Sequence, residues 1–143
     1  MIEIIASKFT NNKKIEVILT GKRRQYVIAE LEKIGVPYTY FEMADLKLLN
    51  ELYNVLDLYI VSSRIEGGPQ AIIECGLSKT PIISTDVGVA KEILAPKSIF
   101  EMSNFENAET DEKIAYENSV KFNLINGQQK FVDMFLEVEK TFF

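Results

Sequence analysis

One stretch of the sequence, residues 56–85, constrains the fold of this chain more than any other. It begins with an apolar run, Leu56–Val61, and ends with a second one, Ile82–Thr85. Between the two runs, paired glycines and a proline mark a loop that turns into a helix, expected from Pro69 to about Lys79. An apolar strand, a glycine turn, a helix and another apolar strand are the repeating parts of parallel α/β folds.

The rest of the chain continues the same alternation of strand-like and helix-like segments. The predicted strands are 15–20, 36–41, 56–61, 82–85 and a short one at 98–102, and the predicted helices are 22–34, 45–54, 69–79, 90–94, 109–121 and 128–141. Short loops between alternating strands and helices indicate βαβ crossovers. The strands are almost continuously apolar, as expected when helices cover both faces of a sheet. The sequence therefore predicts one α/β domain, residues 1–143, with a mostly parallel sheet.

The first segment, residues 1–9, fits the spacing of either a helix or a strand. Only about five residues separate it from the next strand, whereas a parallel crossover needs a dozen or more. In a parallel sheet this segment must therefore be a helix. A strand–helix series that opens on a helix indicates a Rossmann-like sheet that lacks its first strand.

Composition excludes several classes of function. The net charge of −5 argues against a general nucleic-acid surface. One cysteine and no histidine exclude a disulfide framework, a His/Cys zinc site and a histidine general base. No apolar run approaches the roughly 20 residues of a transmembrane segment, and the first residues lack the basic region of a signal peptide. We therefore expect a cytoplasmic protein.

Two glutamates, Glu66 and Glu74, flank the glycine turn. If Pro69 is the first helical residue, Gln70 and Glu74 lie one turn apart on a polar stripe of an otherwise apolar helix. Helical side chains lean toward the N-terminus of their helix, so Glu74 is expected to point back toward the turn. From composition alone, both glutamates also fit the description of solvated surface residues.

Gly67 and Gly68 precede the helix at the point where unpaired main-chain N–H groups collect. Such a helix N-terminus binds phosphate groups, and glycines let a ligand approach the main chain closely. A sugar hydroxyl next to that phosphate would lie within reach of Glu74, and a second sugar within reach of Glu66. The pattern indicates a site for a phosphorylated sugar.

The segment from Ser63 to Leu94 resembles the donor-binding half of a GT-B glycosyltransferase. It is similar to the retaining glycosyltransferase family 4, which contains sucrose synthases and bacterial capsule and lipopolysaccharide glycosyltransferases. That family is marked by two glutamates separated by seven residues, the first within Glu-Gly-x-Gly/Pro, ahead of a Gly-x-Pro-Val-Val strand. Here the matching residues are Glu66, Glu74 and the strand after Pro81. The match covers roughly residues 15–95, and residues 109–143 add C-terminal helices.

The resemblance implies hexose transfer from a UDP-, GDP- or ADP-sugar to a glycan or lipid acceptor. It implies that Glu66 is the catalytic residue at the donor sugar and that Glu74 binds the ribose. It further assigns donor binding to the main chain of Gly67, Gly68 and Gln70, with Phe41 and Met43 beside the base. The family is usually independent of metal ions, so no metal site and no cofactor is expected.

A cationic cluster follows the first predicted strand. Lys22, Arg23 and Arg24 lie at the expected start of a helix, where cations are unfavourable unless an anion is bound. We expect Lys22 and Arg23 to help neutralise the diphosphate of the donor, although a solvated run of charges has the same sequence pattern.

The sequence also departs from the family pattern. The Gly-Arg loop that grips the diphosphate is missing, as is the acceptor domain, so we expect a partner domain or partner chain and no sugar transfer by this chain alone. The missing first strand should leave an open slot in the sheet, or be replaced by residues 1–9 or by a neighbouring chain. Two other functions remain open, a GT-B sugar-nucleotide epimerase and an inactive interaction module.

Two further expectations concern packing. Cys75 is predicted to be a core residue and not a nucleophile. The apolar stripe of the last helix is predicted to pack on the sheet; its members are Phe131, Met134, Phe135, Val138 and Phe142.

Overall fold

The computed structural model describes residues 1–11, 14–122 and 124–142. The helices are α1 (Ile2–Asn11), α2 (Gln25–Ile34), α3 (Leu46–Val55), α4 (Gln70–Ser78), α5 (Ala90–Ile93), α6 (Glu112–Ser119) and α7 (Leu124–Phe142). The strands are β1 (Val17–Thr20), β2 (Tyr38–Phe41), β3 (Tyr59–Val61) and β4 (Ile82–Ser84). The predicted α/β class, with parallel strands flanked by helices, is confirmed.

The four strands form two parallel pairs. β1 pairs with β2 in the register Val17 to Tyr38, and β3 pairs with β4 in the register Tyr59 to Ile82. Within the described residues β1 and β3 do not pair, so the sheet is divided into two halves. The division lies where the sequence predicts the open slot.

Helix α1 lies under both strand pairs. Ile4 is fully buried and packs with Ile83 and Phe100 on the β3–β4 side. Its neighbour Ile5 packs in a different cluster with Leu19 of β1. Because two consecutive residues are buried in separate cores, α1 joins the two halves of the domain, and the prediction that residues 1–9 are helical is confirmed.

Helix α4 passes through the largest core cluster. That cluster contains Val61, Ile72, Cys75, Ile82, Val87, Ala90, Ile93, Leu94 and Ala115. Helices α4 and α6 cross at Gly76, where an added Cβ atom would lie 2.0 Å from Ser119 Oγ and 2.8 Å from the carbonyl oxygen of Ala115. The main chains of the two helices therefore come as close as a glycine allows.

Local signals placed several helix ends correctly. The side chain of Asp45 accepts a hydrogen bond from the N–H of Leu48 and caps α3 as predicted. Gly35 ends α2 in the left-handed conformation, with φ of 69°. Helix α2 begins at Gln25 and not at Lys22, because the preceding loop contains left-handed backbone at Gly21 and Arg23.

Two predictions for the C-terminal part are wrong. Helix α7 runs without interruption through Asn126-Gly127, where a break was expected; one glycine costs a helix only about 1 kcal/mol. The apolar stripe of α7 does not pack on the sheet, since Phe131 is 63% exposed and Phe135 is 65% exposed. The side chain of Phe142 lies outside the described residues.

The short strand predicted at 98–102 is also absent. Pro96–Ser98 forms a 3₁₀ turn, and the segment contributes a single bridge between Ile99 and Ser84 of β4. The proline and the turn that follow α5 leave too few extended residues to form a ladder.

The prediction that Cys75 is a core residue is confirmed by its complete burial. Burial, with a smaller contribution from the negative charge of Glu74, raises the pKa of the thiol from 9.0 to about 12. Between pH 9 and 12 the unfolded chain therefore loses a proton that the folded chain retains, and the stability of the fold falls as pH rises.

We expect this fall to be steeper in the wild type than in Cys75→Ala, by up to about 1.4 kcal/mol per pH unit. Urea titrations of both proteins between pH 8 and 11 measure the difference, and tyrosine ionisation is common to both. Parallel pH profiles for the two proteins would contradict the burial of a protonated thiol.

Candidate functional site

The predicted site residues lie in the loops that follow the strands. Lys22 and Arg23 follow β1, Phe41 ends β2, and Met43 lies in the next turn. Residues 66–69 lie in the loop between β3 and α4, and Gln70 is the first residue of α4. In parallel α/β folds these loops share the edge of the sheet at which ligands bind.

The N-terminus of α4 is open. The helix begins at Gln70, one residue later than expected, because the backbone of Pro69 is extended, with ψ of 109°. No side chain caps this end, and the N–H of Ile72 donates to the carbonyl oxygen of Pro69 at 3.1 Å. Among the described residues, no hydrogen bond reaches the N–H groups of Gln70 and Ala71. These donors are therefore available to an anion.

The glycine turn ahead of α4 is exposed on one side and supported on the other. Both Gly67 and Gly68 are solvent-exposed, with open space where their Cβ atoms would be. Gly88, in the loop after β4, has a positive φ of 51°, and a Cβ atom there would lie 2.8 Å from Pro69 Cδ and 2.9 Å from Gly68 Cα. Main-chain contact with that loop thus supports the back of the turn.

Glu74 is held by a tyrosine of the neighbouring helix. Tyr53 Oη of α3 donates a hydrogen bond to Glu74 Oε2 at 2.7 Å, and Glu74 itself is half-buried. The Tyr53 ring packs against Tyr59 with a centroid distance of 5.7 Å, and Thr80 Oγ1 donates to the carbonyl oxygen of Tyr53 at 2.7 Å.

Tyr53 is therefore a fixed donor. Burial, followed by the hydrogen bond to Glu74, raises the pKa of Tyr53 far above its ordinary value. The phenol stays protonated at neutral pH and sets the orientation of the Glu74 carboxylate. Among the described residues no donor contacts the other carboxylate oxygen, Oε1.

Glu66 lies on the exposed loop and is oriented by its neighbour. Ser63 Oγ donates to Glu66 Oε1 at 2.7 Å, and the carbonyl oxygen of Ser63 accepts from Thr85 Oγ1 at 2.6 Å. The end of β4 thus anchors the loop that carries this carboxylate, while the carboxylate itself remains open to solvent.

The loops after β1 and β2 form a shallow cleft of about 280 Å³. Lys22 and Met43 line it, whereas Phe41, Glu66 and Glu74 do not. The complete lining is Thr20, Gly21, Lys22, Glu42, Met43, Ala44 and Leu49. Lys22 and Met43 thus lie in this cleft, and the segment from Glu66 to Glu74 lies at the N-terminus of α4. Neither Arg23 nor Phe41 lines the cleft.

Three residues of the site were not identified from the sequence. The helical spacing of α3 places Tyr53 on its apolar side with Leu49 and Leu52, and no local pattern indicates that its hydroxyl reaches Glu74. For Gly88 the sequence indicates a turn and nothing about its contact with Gly68 and Pro69. Ser63 precedes Glu66 by three residues in the same loop, and only the structure shows that its hydroxyl donates to this carboxylate.

The part of the chain that the structure describes contains no group of three or more potential metal-ligating side chains. The expectation that the site uses neither a metal ion nor a cofactor stays a prediction.

The parallel strands, the open helix N-terminus and the loops at one edge together define the ligand-binding edge of a Rossmann-like domain. The family model described as glycosyl transferases group 1 matches residues 1–113. The chain belongs to this family.

Two solved structures with the same fold come from longer chains. The chain is similar to sucrose-phosphate synthase from Thermosynechococcus elongatus, with a TM-score of 0.77 and 15% identity over 98% of this chain and 42% of that chain. It is also similar to a chain of the GtfA/B complex, with a TM-score of 0.73 and 15% identity over 97% of this chain and 33% of that chain. The fold is that of the C-terminal domain of a GT-B glycosyltransferase, and the chain spans less than half the length of these relatives.

A search of curated proteins returned no significant match. None of the helices in the described ranges has both the length and the apolar character of a membrane span. The cytoplasmic location expected from the sequence stays a prediction.

Proposed function

We propose that this chain binds the nucleotide-sugar donor of a retaining glycosyltransferase, which transfers a hexose from an NDP-sugar to a glycan or lipid acceptor. One observation carries the proposal. The carboxylate of Glu74 is oriented by Tyr53 at 2.7 Å and lies one helical turn inside the open N-terminus of α4. An anion site next to an oriented carboxylate suits a phosphate linked to a sugar.

The phosphate end of the donor would bind at the N-terminus of α4. The free N–H groups of Gln70 and Ala71, with the exposed main chain of Gly67 and Gly68, offer donors to a diphosphate or to the sugar attached to it. Glu74 lies four residues into the helix, about 6 Å along its axis. That distance suits a contact between its carboxylate and the ribose hydroxyls.

Glu66 would take the catalytic position at the donor sugar. Its carboxylate is exposed and held by Ser63, so it can accept hydrogen bonds from sugar hydroxyls on the far side of the phosphate from Glu74. A carboxylate at this place would also stabilise positive charge that develops on the sugar during transfer.

The cleft beside β2 would hold the other end of the donor. Met43 offers an apolar contact for the base, with Phe41 at the adjacent strand end, and Lys22 provides positive charge at the rim. Arg23 lies next to it in a left-handed conformation, with φ of 62°. Both cations are exposed. Because Lys22 lines the cleft and Arg23 is the next residue, both can help neutralise a diphosphate bound there.

Transfer itself would require a second domain or chain. The acceptor must be held against the donor sugar in a fixed orientation, and the solved relatives contain more than twice the length of this chain. The exposed apolar face of α7 supports the presence of such a partner.

Titration of UDP-glucose, GDP-mannose and ADP-glucose into the isotope-labelled chain tests the proposal by NMR. We expect one base to produce saturable shifts at Gly67, Gly68 and Glu74, with millimolar affinity because the residues proposed here contact the donor from one side only. Pyrophosphate alone, as a control, should shift the glycines but not Glu74. If none of the three donors shifts these resonances at millimolar concentration, donor binding by this chain is wrong.

A further inference from the structure

Between Gln128 and Thr141, helix α7 has no packed face. All side chains of this range are solvent-exposed. Six large apolar ones among them are 46–65% exposed: Phe131, Val132, Met134, Phe135, Leu136 and Val138. An isolated helix is only marginally stable in water, and helices in proteins gain most of their stability from packing an amphipathic face. An apolar surface from outside the domain is therefore expected to cover α7.

The apolar stripe of α7 has the spacing of a coiled-coil seam. Its described side chains occupy positions a, d, e and a of a heptad: Phe131, Met134, Phe135 and Val138. They cover a face about 100° wide, as in other amphipathic helices. Gly127 occupies the preceding position d on the same face. The pattern indicates that another helix packs along this stripe.

Two charged residues flank the stripe on its Met134 side. Lys130 and Glu137 both occupy position g, so they lie on one side of α7, about 10 Å apart along its axis. Among the described residues no ion pair involves either of them. In an antiparallel pair of identical helices, Lys130 of each copy lies beside Glu137 of the other. In a parallel pair Lys130 would lie beside Phe135 of the second copy, so the charges favour the antiparallel arrangement.

The two charges and the two ends of the helix share one centre. The point midway between Lys130 and Glu137 falls between residues 133 and 134, and the midpoint of α7 is residue 133. An antiparallel copy aligned on these charges therefore overlaps α7 along its whole length and leaves the two domains at opposite ends. In this register Met134 packs against Phe131 of the second copy. Val138 lies against Gly127, where the open space at Cβ admits a larger side chain.

We propose that α7 binds a second copy of this chain as an antiparallel helix pair, which buries the apolar stripe and joins Lys130 of each copy to Glu137 of the other. The contact is isologous, because both copies use the same face and a twofold axis passes through the centre of the pair. The self-complementary charges favour a second copy over an unrelated surface, which would not require this symmetry. The proposal does not depend on donor binding, since none of the proposed donor-binding residues lies in α7.

Sedimentation equilibrium of the whole chain measures this association. Two helices of about 28 Å form a contact smaller than a standard interface. We therefore expect a monomer of 16.3 kDa at low micromolar concentration and a dimer of twice that mass as the concentration approaches millimolar. A chain that remains monomeric at millimolar concentration would overturn the inference, and the stripe would be left to the second domain or chain that sugar transfer requires.

Exchange of the two charges tests the antiparallel register. Lys130→Glu and Glu137→Lys each place like charges at both ion pairs of the dimer, and we expect each variant to dimerise about tenfold more weakly than the wild type. An equimolar mixture of the two variants restores both ion pairs in a heterodimer, so the mixture should associate like the wild type. Single variants that dimerise as well as the wild type, or a mixture that associates no better than its components, would overturn the inference.

A matched pair of substitutions tests which face of α7 is buried in the dimer. Val138 of the stripe and Val132, at position b outside it, are almost equally exposed, at 46% and 49%. Val138→Asp places a charge inside the contact and should weaken dimerisation at least about tenfold. Val132→Asp adds the same charge outside the contact and should leave dimerisation unchanged. Equal effects of the two substitutions would contradict the burial of the stripe and overturn the inference.

Discussion

Gly76→Ala is expected to destabilise the fold by about 3 kcal/mol, at the upper end of the usual cost of overpacking. The new methyl group would lie 2.0 Å from Ser119 Oγ and 2.8 Å from the carbonyl oxygen of Ala115. A rotation of Ser119 relieves the first contact, but the second involves main chain and requires α6 to move away from α4. That movement would open the largest core cluster. Urea denaturation measures the loss as a lower midpoint at unchanged slope.

Gly127 of α7 provides a matched control, because it is also a helical glycine but has open space where its Cβ atom would be. Gly127→Ala should leave the midpoint unchanged or raise it, since alanine favours helix by about 1 kcal/mol. Ser119 Oγ is buried without a hydrogen-bond partner among the described residues, so Ser119→Ala alone should cost little. Adding Ser119→Gly to Gly76→Ala should recover part of the loss. A Gly76→Ala protein as stable as the wild type would contradict the close crossing of the two helices.

Glu74→Gln is expected to weaken nucleotide-sugar binding by at least about tenfold, because hydrogen bonds to a charged carboxylate contribute about 1.5–3 kcal/mol. The amide keeps the size of the side chain and can still accept from Tyr53, so the fold should change little. The NMR titration that tests donor binding also measures this loss of affinity. The control is Glu117→Gln on the exposed surface of α6, which should bind the donor like the wild type.

Tyr53→Phe tests how far donor binding depends on the orientation of the Glu74 carboxylate, since the variant leaves the charge of Glu74 in place. The variant keeps the ring contact with Tyr59 but removes the donor to Glu74 Oε2. We expect a smaller loss of affinity, about threefold to tenfold, and a loss of stability of about 1 kcal/mol. Unchanged affinity in both variants would exclude Glu74 from the binding site, whereas equal losses would show that its role depends entirely on Tyr53.

Much of the fold could be predicted from local patterns. Apolar runs and helical periodicity located the four strands and most helices to within a few residues, and Asp45 and Gly35 marked helix ends correctly. Given a parallel sheet, the short connection after residues 1–9 predicted a helix there, because a parallel crossover needs a dozen or more residues. Local signals gave a wrong helix boundary at Gly127, because a glycine often ends a helix but here lies inside one. They also gave a wrong packing partner for the apolar stripe of α7, because periodicity identifies an apolar face without showing what covers it.

The candidate site also has one part that the sequence predicts and another that only the tertiary structure shows. The residues of the turn and of α4 form one local unit, Glu66 to Glu74, so their order along the chain already indicated an exposed helix N-terminus near two carboxylates. The hydrogen bond from Tyr53 to Glu74 joins residues 21 positions apart, and the contact of Gly88 with the turn depends on the packing of a different strand. Neither contact can be predicted from the spacing of neighbouring residues in the sequence.

The sequence by itself determined that this chain alternates strands and helices and that a glycine turn opens α4, because backbone conformation and hydrophobic periodicity are properties of neighbouring residues. Only the tertiary structure decided that the strands form two pairs bridged by α1, that Tyr53 holds Glu74, and that Gly76 lies against α6. These features depend on which helices and strands pack together in the core. The stabilising contacts join residues far apart in the chain, so no local pattern predicts them.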